Sequence, residues 1–314
     1  MKILYEGKDI FNDVSLSQCW HDMYAERKSD CLIIKFNDAK KLWDSWGAKT
    51  GDKIQVVSGA SDTGIMFIDS VVPSYGMITL TAYSYPPTVK DKRSKSWNEI
   101  KFSALADYVA NNNGLKLKKF DVEDFTYKYV AQKNISDFEF LQQRAVLEGC
   151  AFLVYNEELI LYKEEKLESK GSQGTIDIDN APKTYRPENQ INFTYDSNRL
   201  NSFESVEITN GVETGLYSCG NGTGKELKKV LPLPMTDTGE AERFAKNLLR
   251  FYNKNQDLGS VSMKFCDKYS PGSIITIKNK NNPSWNGDFF VTHVRQDYTN
   301  GRTKIDFRKK LEGY

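Results

Sequence analysis

The sequence predicts a mainly β protein of the α+β class, in which two small antiparallel β-barrels are joined by a smaller α+β middle domain. Alternating apolar and polar runs bounded by Gly, Asn and Asp occupy residues 1–88 and 186–314. The two blocks share one order of strands, and the segment between them changes to helical periodicity. We therefore expect a first barrel over 1–88, a middle domain over 89–168, and a second barrel with a packed helix over 169–314.

The first block reads as a series of short strands that each follow a turn residue. The run "CLIIKFND" ends at Asp38, and further strand-like runs follow Gly51, Gly64 and Gly76. The last block has the same order, with its turn residues at Asp267, Gly272, Gly287 and Gly301. We interpret this as one barrel used twice. The alternative is that Gly before a strand is merely common turn chemistry.

The middle segment carries two amphipathic helices, of which the first is short. Ser103 is expected to cap it, Leu105, Tyr108 and Val109 share one face, and the helix should stop near Gly114. A linker containing "KGSQG" then separates the middle domain from the second barrel.

The second helix of this segment is apolar on two sides. Ser136 fits an N-cap with Glu139 at the third helical position, and Gly149 ends the helix. One stripe is made by Phe138, Leu141 and Ala145, and the opposite side carries Phe140 and Leu147. Because both faces need cover, we expect a helix clamped between two layers.

A third helix is predicted inside the last block, from Glu240 to Lys254. Its apolar residues recur every three or four positions, and acidic residues at its start and basic residues at its end suit the helix dipole. We expect it to plug or cover one side of a barrel.

Composition excludes several classes of function. The 43 Lys and Arg nearly balance the 42 Asp and Glu, so we expect no nucleic-acid partner and no attraction to an anionic membrane. Five cysteines without a C-x-x-C pair argue against a disulfide framework and a structural zinc site, and favour synthesis in a reducing cytoplasm. Neither a signal peptide nor an apolar run of about 18 residues is evident, so no stable membrane anchor is expected.

No motif carries recognisable chemistry. His21 and His293 lack metal-ligand spacing, and the loop "CGNGTGKE" has Glu226 where a phosphate-binding loop needs Ser or Thr. Asp177 and Asp179 lie on one side of a strand, as alternation in any half-exposed strand produces. We therefore predict no catalytic, cofactor-binding or metal site, and a protein that is not an enzyme.

Two tryptophans stand out as candidate contact residues. Trp43 and Trp46 lie in "AKKLWDSWG", a segment that the first block has and the last block lacks. Core packing is the default for Trp, but Trp is also enriched at the anchors of protein interfaces. We keep both readings open and predict an interface role for this pair.

Three stretches in order resemble one known family. The stretches are "KRSKSWNEIKFSALADYVANNNGLKL", "ISDFEFLQQRAVLEGCAFLVYNEELILYK" and the set "EAERFAKNLLRFYN", "GSVSMKF", "PGSIITIK", "WNGDFFVTHVRQDY" and "GRTKIDF". Over roughly residues 30 to 312 the chain is similar to the phage late control gene D family. That family includes the central baseplate hubs of contractile-tailed phages, the hub-like part of VgrG, and hubs of phage-tail-like bacteriocins (tailocins).

The resemblance implies a structural role at the tip of a contractile tail. Three chains would form a homotrimeric ring, and two tube-protein-like barrels per chain would present six barrels to a six-fold tube. Its implied partners are the tail tube protein, the central spike protein, other baseplate proteins and the tape measure protein. Synthesis in a bacterial cytoplasm and assembly into the baseplate of a virion or particle follow. Because the sequence stops after the last strand, the spike is expected to be a separate polypeptide.

Two other classes remain as alternatives. A cell-wall hydrolase associated with a tail tip would clear peptidoglycan, although the motif search identifies no catalytic group for it. A monomeric glycan-binding adhesin built of two β modules would bind sugars without forming a ring.

Overall fold

The computed structural model describes residues 1–178, 191–198, 202–280 and 282–314, which form a mainly β structure. The helices are α1 (Leu42–Trp46), α2 (Phe102–Asn112), α3 (Asp137–Leu147), α4 (Glu164–Glu168) and α5 (Thr238–Asn253). The strands before α2 are β1 (Lys2–Tyr5), β2 (Lys8–Asp9), β3 (Ser15–Tyr24), β4 (Cys31–Asn37), β5 (Lys53–Ser58), β6 (Ser61–Asp62), β7 (Met66–Ser74), β8 (Met77–Tyr83) and β9 (Lys92–Lys101).

The strands between α2 and α5 form the middle of the chain and the start of the last block. They are β10 (Lys116–Phe120), β11 (Thr126–Ser136), β12 (Cys150–Tyr155), β13 (Glu158–Lys163), β14 (Thr175–Asp177), β15 (Asn192–Ser197), β16 (Ser205–Thr209), β17 (Thr214–Ser218) and β18 (Glu226–Val230). After α5 the strands are β19 (Asp257–Lys264), β20 (Ile274–Lys278), β21 (Gly287–Asp297) and β22 (Arg302–Lys309). None of the described helices is both long and apolar enough to cross a membrane.

The strand order confirms the repeat predicted from the glycines. In the first block neighbouring strands run β3-β4-β8-β7-β5-β1, and in the last block they run β15-β19-β22-β21-β20-β14. The two orders correspond strand for strand. The last pair differs in direction, because β14 runs parallel to β20 whereas β1 runs antiparallel to β5.

Equivalent hydrogen bonds join the same two strands in each copy. Gly51 N–H donates to Ile68 O at 2.8 Å, and Ile68 N–H donates to Asp52 O at 2.8 Å. In the last block, Gly272 N–H donates to Val291 O at 2.8 Å, and Val291 N–H donates to Ser273 O at 2.9 Å. A β-bulge follows Ile68 in β7 and Val291 in β21. The copies therefore share local geometry as well as order.

The prediction of two separate closed barrels is corrected by the pairing. Among the described residues no sheet closes into a barrel, and both blocks belong to one sheet of fourteen strands. The link is β3, which pairs along β21 from Trp20–Asp297 to Tyr24–His293. Each block curls over its own core. The outer backbone groups of β3 bond to the other block, so β3 does not close its own block into a barrel.

The predicted clamp around α3 is confirmed. Ser136 Oγ accepts the Glu139 N–H at 3.2 Å as the N-cap, and Gly149 follows the helix with φ 64°. The elements α2, β11, α5 and β12 all pack against α3, and residues of both apolar faces lie in the same core. Local capping residues were enough to predict this helix because its boundaries depend on nearby backbone groups.

The start of α2 differs from the expectation. Its N-cap is Lys101, and Ser103 lies inside the first turn. Asp124, from a loop distant in sequence, accepts the Ser103 N–H at 3.0 Å and the Ser103 hydroxyl at 2.7 Å. A tertiary acceptor thus replaces the local cap that the sequence predicted.

The helix predicted over Glu240 to Lys254 forms as α5, but it does not cover a barrel. It packs on β16 and β17 and against α3, so its apolar face joins the middle core. Amphipathicity shows that a helix buries one face and does not show against which neighbour. We therefore propose the three-part division with β16–β18 and α5 added to the middle domain. Residues 179–190 of the predicted second barrel lie outside the described residues.

Candidate assembly site

The residues considered for chemistry have structural surroundings. His21 is buried in β3 with both ring nitrogens unpartnered among the described residues, and desolvation lowers its pKa to about 4. Asp177 lies in β14, whereas Asp179 lies outside the described residues. In the part of the chain that the structure describes, no three His, Cys, Asp or Glu side chains are grouped to hold a metal ion.

His293 lies at the junction of the two blocks, between two carboxylates. Its Nδ1 is 2.7 Å from an oxygen of Asp306, and its Nε2 is 2.7 Å from an oxygen of Asp22. Arg295 donates to the same Asp22 at 2.7 and 3.0 Å, and the Tyr24 ring stacks on the imidazole at 4.5 Å. With a carboxylate at each nitrogen, the protonated ring can donate twice.

The charges at this junction shift the pKa values in opposite directions. Burial opposes the charged form of His293, but its bonds to Asp22 and Asp306 outweigh burial and raise its pKa. Burial likewise opposes the charged form of Asp22, but His293 and Arg295 lower its pKa to about 2. The link between β3 and β21 is therefore ionic as well as hydrogen-bonded.

We expect this junction to be strongest in mildly acidic solution. The raised pKa of His293 gives a contribution that is complete below its unfolded value of about 6.5 and is lost as pH rises through the folded value. Asp22 contributes above its unfolded value of about 3.9, and that contribution is lost as pH falls toward about 2. Denaturant unfolding of wild type and His293→Gln should therefore differ most near about pH 5. A free-energy difference that stayed constant to pH 9 would contradict the assignment.

A buried ion cluster fixes the middle domain to both blocks. The Arg308 guanidinium of β22 donates to Glu164 at 2.7 Å and to Glu168 at 2.5 Å in α4. Lys254, just after α5, donates to Glu164 at 3.1 Å and to Glu26 of the first block at 2.5 Å. Although burial opposes its charge, Lys254 and Arg308 lower the pKa of Glu164 to about 2. Elements far apart in sequence are thus held in one arrangement.

Two strand edges, one on β7 and one on β15, form no strand pairing among the described residues. In the last block, β3 covers the outer side of β21 over His293–Asp297. The corresponding half of β7, Ser70–Ser74, pairs only with β8. Likewise β15, the counterpart of β3, pairs only with β19. Among the described residues, the facing edges of β3 and β21 are paired with each other, whereas the equivalent edges of β15 and β7 are not.

Exposed apolar side chains lie along the open edge of β7. Val72 is 52% exposed, and Tyr75 at the tip of the β7–β8 hairpin is fully exposed. Sequence patterns did not identify this edge. Its available signal was Pro73, because a Pro inside a strand marks a position whose missing N–H faces away from the ladder.

The two tryptophans of the candidate contact segment lie in different environments. Trp43 is only 2% exposed and packs with Tyr5 and Phe36 in the first core, so it does not face solvent as an interface anchor would. Trp46 is partly exposed and lies edge-on to Trp43, with 5.1 Å between the ring centroids. An interface role for this pair stays a prediction. Of the two side chains, Trp46 is the one that is partly exposed.

Solved structures with the same fold cover almost the whole chain. The 43 kDa tail protein of prophage MuSo2 from Shewanella oneidensis matches with a TM-score of 0.75 and 12% identity over 98% of each chain. A tail protein from Neisseria meningitidis MC58 matches with a TM-score of 0.76 and 12% identity, over 98% of this chain and 95% of that one.

A component of a secretion system has a related structure. The E. coli c3393 protein, a component of the type VI secretion system described as similar to the T4 tail proteins gp27 and gp5, gives a TM-score of 0.57 at 10% identity. The match covers 100% of this chain and 79% of c3393. No protein-family model and no curated protein matches the sequence. Because the identities are this low, these matches show a common fold only.

Proposed function

We propose that the chain is the central baseplate hub of a contractile tail or of a phage-tail-like bacteriocin. Three copies form a pseudo-six-fold ring that joins the tail tube to the central spike. The observation that carries this proposal is the pairing of β3 with β21, which joins two equivalent units inside one chain. The fold shared with two tail proteins, one of them from a prophage, over nearly their full length supports the same role.

The repeat supplies a rule for assembly. Because β15 is the counterpart of β3 and β7 is the counterpart of β21, placing β15 of one copy on β7 of the next repeats the internal junction. Each chain offers one edge of each kind, so the contact is heterologous and generates a ring when the rotation closes. Three chains with two units each supply the six positions of a six-fold tube.

The internal register extends to this contact. Aligning the hairpin ends of β7 and β21 places Val71 opposite Ser197 of a neighbouring copy and Pro73 opposite Tyr195. Pro73 has no N–H, so this junction has one donor fewer than the internal one. The same proline disfavours non-specific strand pairing at the open edge before assembly.

As a hub the protein acts by binding and positioning, not by catalysis. Its partners are further copies of itself, the tube, the spike, other baseplate proteins and the tape measure protein. It is made in the bacterial cytoplasm and works in the tail baseplate. The exposed part of Trp46 is a candidate contact with one of these partners.

The ring can be tested with one substitution on β15. Native mass measurement of the protein with its spike should give three times 35.9 kDa, about 108 kDa of hub. Ser197→Pro should hold the chain at 35.9 kDa, because the N–H it removes points to the open edge and not to β19. Ser197→Ala keeps that N–H and should still assemble. Trp46→Ser in the same assay tests the contact role of Trp46.

A wild-type chain that stays monomeric with both spike and tube present would remove the basis for this proposal. A ring that forms equally well with Ser197→Pro would retain the hub role but exclude the proposed strand contact. Glycan binding by a persistent monomer would favour the adhesin reading.

A further inference from the structure

A cleft of about 620 Å³ lies between the first block and the middle domain, and one of its walls is a strand edge. The wall is β12, the outer strand of the β10-β13-β12 sheet, which contributes Phe152, Leu153 and Val154. The opposite wall comes from β3, β4 and the end of β8 and is rich in tyrosine.

The geometry of the β12–β13 hairpin shows which backbone groups face the cleft. Its two turn residues, Asn156 and Glu157, have positive φ values of 49° and 62°. In such a two-residue hairpin the flanking pair, here Tyr155 with Glu158, exchanges both hydrogen bonds, and pairs alternate from there. Phe152, three residues before Tyr155, therefore directs its N–H and C=O away from β13.

The same alternation applies to Val154, which also directs its backbone groups away from β13. The Glu164 N–H donates to Gly149 O at 3.2 Å, which is the bond that this register requires at the far end of the hairpin. Phe152 and Val154 are 7% and 4% exposed, so their outward groups face the cleft and not bulk solvent.

The part of the chain that the structure describes supplies no partner for these outward groups. Among the described residues, no backbone or side-chain hydrogen bond outside the β12–β13 ladder involves the N–H or C=O of Phe152 or Val154. Unpaired backbone groups that are this buried are rare in native proteins. On α3, across from β12, the buried Gln142 Nε2 also lacks an acceptor. The cleft therefore presents donors and acceptors arranged along a strand.

Charge at the cleft selects for an acidic group. Asp22 and Lys90 are already paired with other side chains. Arg27 and Lys28 line the cleft and form no ion pair with any described residue, against one unpaired carboxylate, Glu139. The charge that these residues leave unpaired along the cleft is therefore net positive, with the Arg27 guanidinium held 3.8 Å over the Phe251 ring.

We infer that this cleft binds an extended segment of another protein chain, which adds as a strand beside β12. Backbone hydrogen bonds to Phe152 and Val154 provide the affinity, as in other cases of strand addition to a sheet edge. Aliphatic side chains of the segment contact Tyr85 and Phe138, and an acidic side chain lies near Arg27. This site does not use the strands of the proposed ring contact, because β12 belongs to a three-stranded sheet separate from the sheet that contains β7 and β15.

The probe is a labelled peptide of about nine residues that alternates Val and Thr and carries Asp at one end. Fluorescence anisotropy should show saturable binding below about 1 mM. A copy with every backbone nitrogen methylated should not bind, because it offers no donors. Hydrogen exchange should slow at the amides of Phe152 and Val154 in the presence of the first peptide.

Variants locate the binding site. Val154→Pro removes an outward N–H that β13 does not use, so the hairpin is retained and peptide affinity should fall at least about tenfold. Val154→Ala is the matched control, since it keeps the N–H without burying a polar group and should bind within about twofold. The exposed double substitution Arg27→Glu and Lys28→Glu should weaken binding of the Asp peptide and strengthen binding of a Lys counterpart.

The outcomes separate cleanly. Saturable binding with protection of Phe152 and Val154, abolished by backbone methylation and reduced by Val154→Pro, supports the inference. If Val154→Pro fails to fold, the hydrogen exchange of the wild type and the charge variant decide the question. Absence of saturable binding below about 1 mM, or binding without protection of β12, overturns it.

Discussion

Replacing Arg308 with Met should destabilise the chain by about 3–5 kcal/mol, because it leaves buried carboxylates without their cation. Arg308 is fully buried and bonds both Glu164 and Glu168, each of which is also largely buried. Met keeps most of the side-chain volume, so the change removes charge more than packing. We expect a lower guanidinium chloride midpoint and weaker attachment of the last block to the middle domain.

The control is Lys304→Met on the same strand. Lys304 is 46% exposed and bonds Asp306 at the surface, where an ion pair is worth about 0–1 kcal/mol. Similar losses for the two variants would show that the buried cluster has no special role. A loss at Arg308 below about 1 kcal/mol would mean that Glu164 and Glu168 find other partners.

Adding one methyl group at Gly215 should have a comparably large effect. A Cβ built there lies 2.2 Å from both the carbonyl carbon and the oxygen of Ala241, and 2.6 Å from the N of Glu242. Overpacking typically costs about 1–3 kcal/mol, and more where no side chain can rotate away. Since the clash is with helix backbone, Gly215→Ala must separate β17 from α5. We expect a loss of at least about 3 kcal/mol.

Gly171→Ala provides the comparison, because nothing lies within 4 Å of a Cβ built at Gly171. Its unfolding free energy should change by less than about 1 kcal/mol. Denaturant unfolding followed by the near-ultraviolet signal of the aromatic core measures both variants. An unchanged midpoint for Gly215→Ala would show that α5 does not pack on β17 as closely as these distances require.

The local parts of the fold could be predicted from residues close in sequence. Ser136 and Gly149 mark the ends of α3 because capping and positive φ act within one turn of the backbone. Gly51 and Gly272 revealed the repeat because equivalent turns require the same residue at equivalent places. The apolar stripes also predicted that α3 would be covered on two sides.

The candidate site could not be predicted in the same way. An apolar Trp43 reads alike as core or interface, and only its neighbours Tyr5 and Phe36 show that it is buried. The open edges of β7 and β15 are defined by the absence of a pairing strand among the described residues, and apart from Pro73 no local pattern marks such an absence.

By itself the sequence determined the mainly β class, the repeated unit, the helix boundaries near strong caps and the lack of a recognisable catalytic motif. These depend on periodicity, turn chemistry and residue type, which act over a few residues. Only the tertiary structure decided that β3 joins β21, that α5 packs into the middle domain, and that Arg308 meets Glu164. Such contacts join residues far apart in the chain. Many partners satisfy the same edge, apolar face or charge equally well in sequence terms, and the choice among them depends on how the whole chain packs.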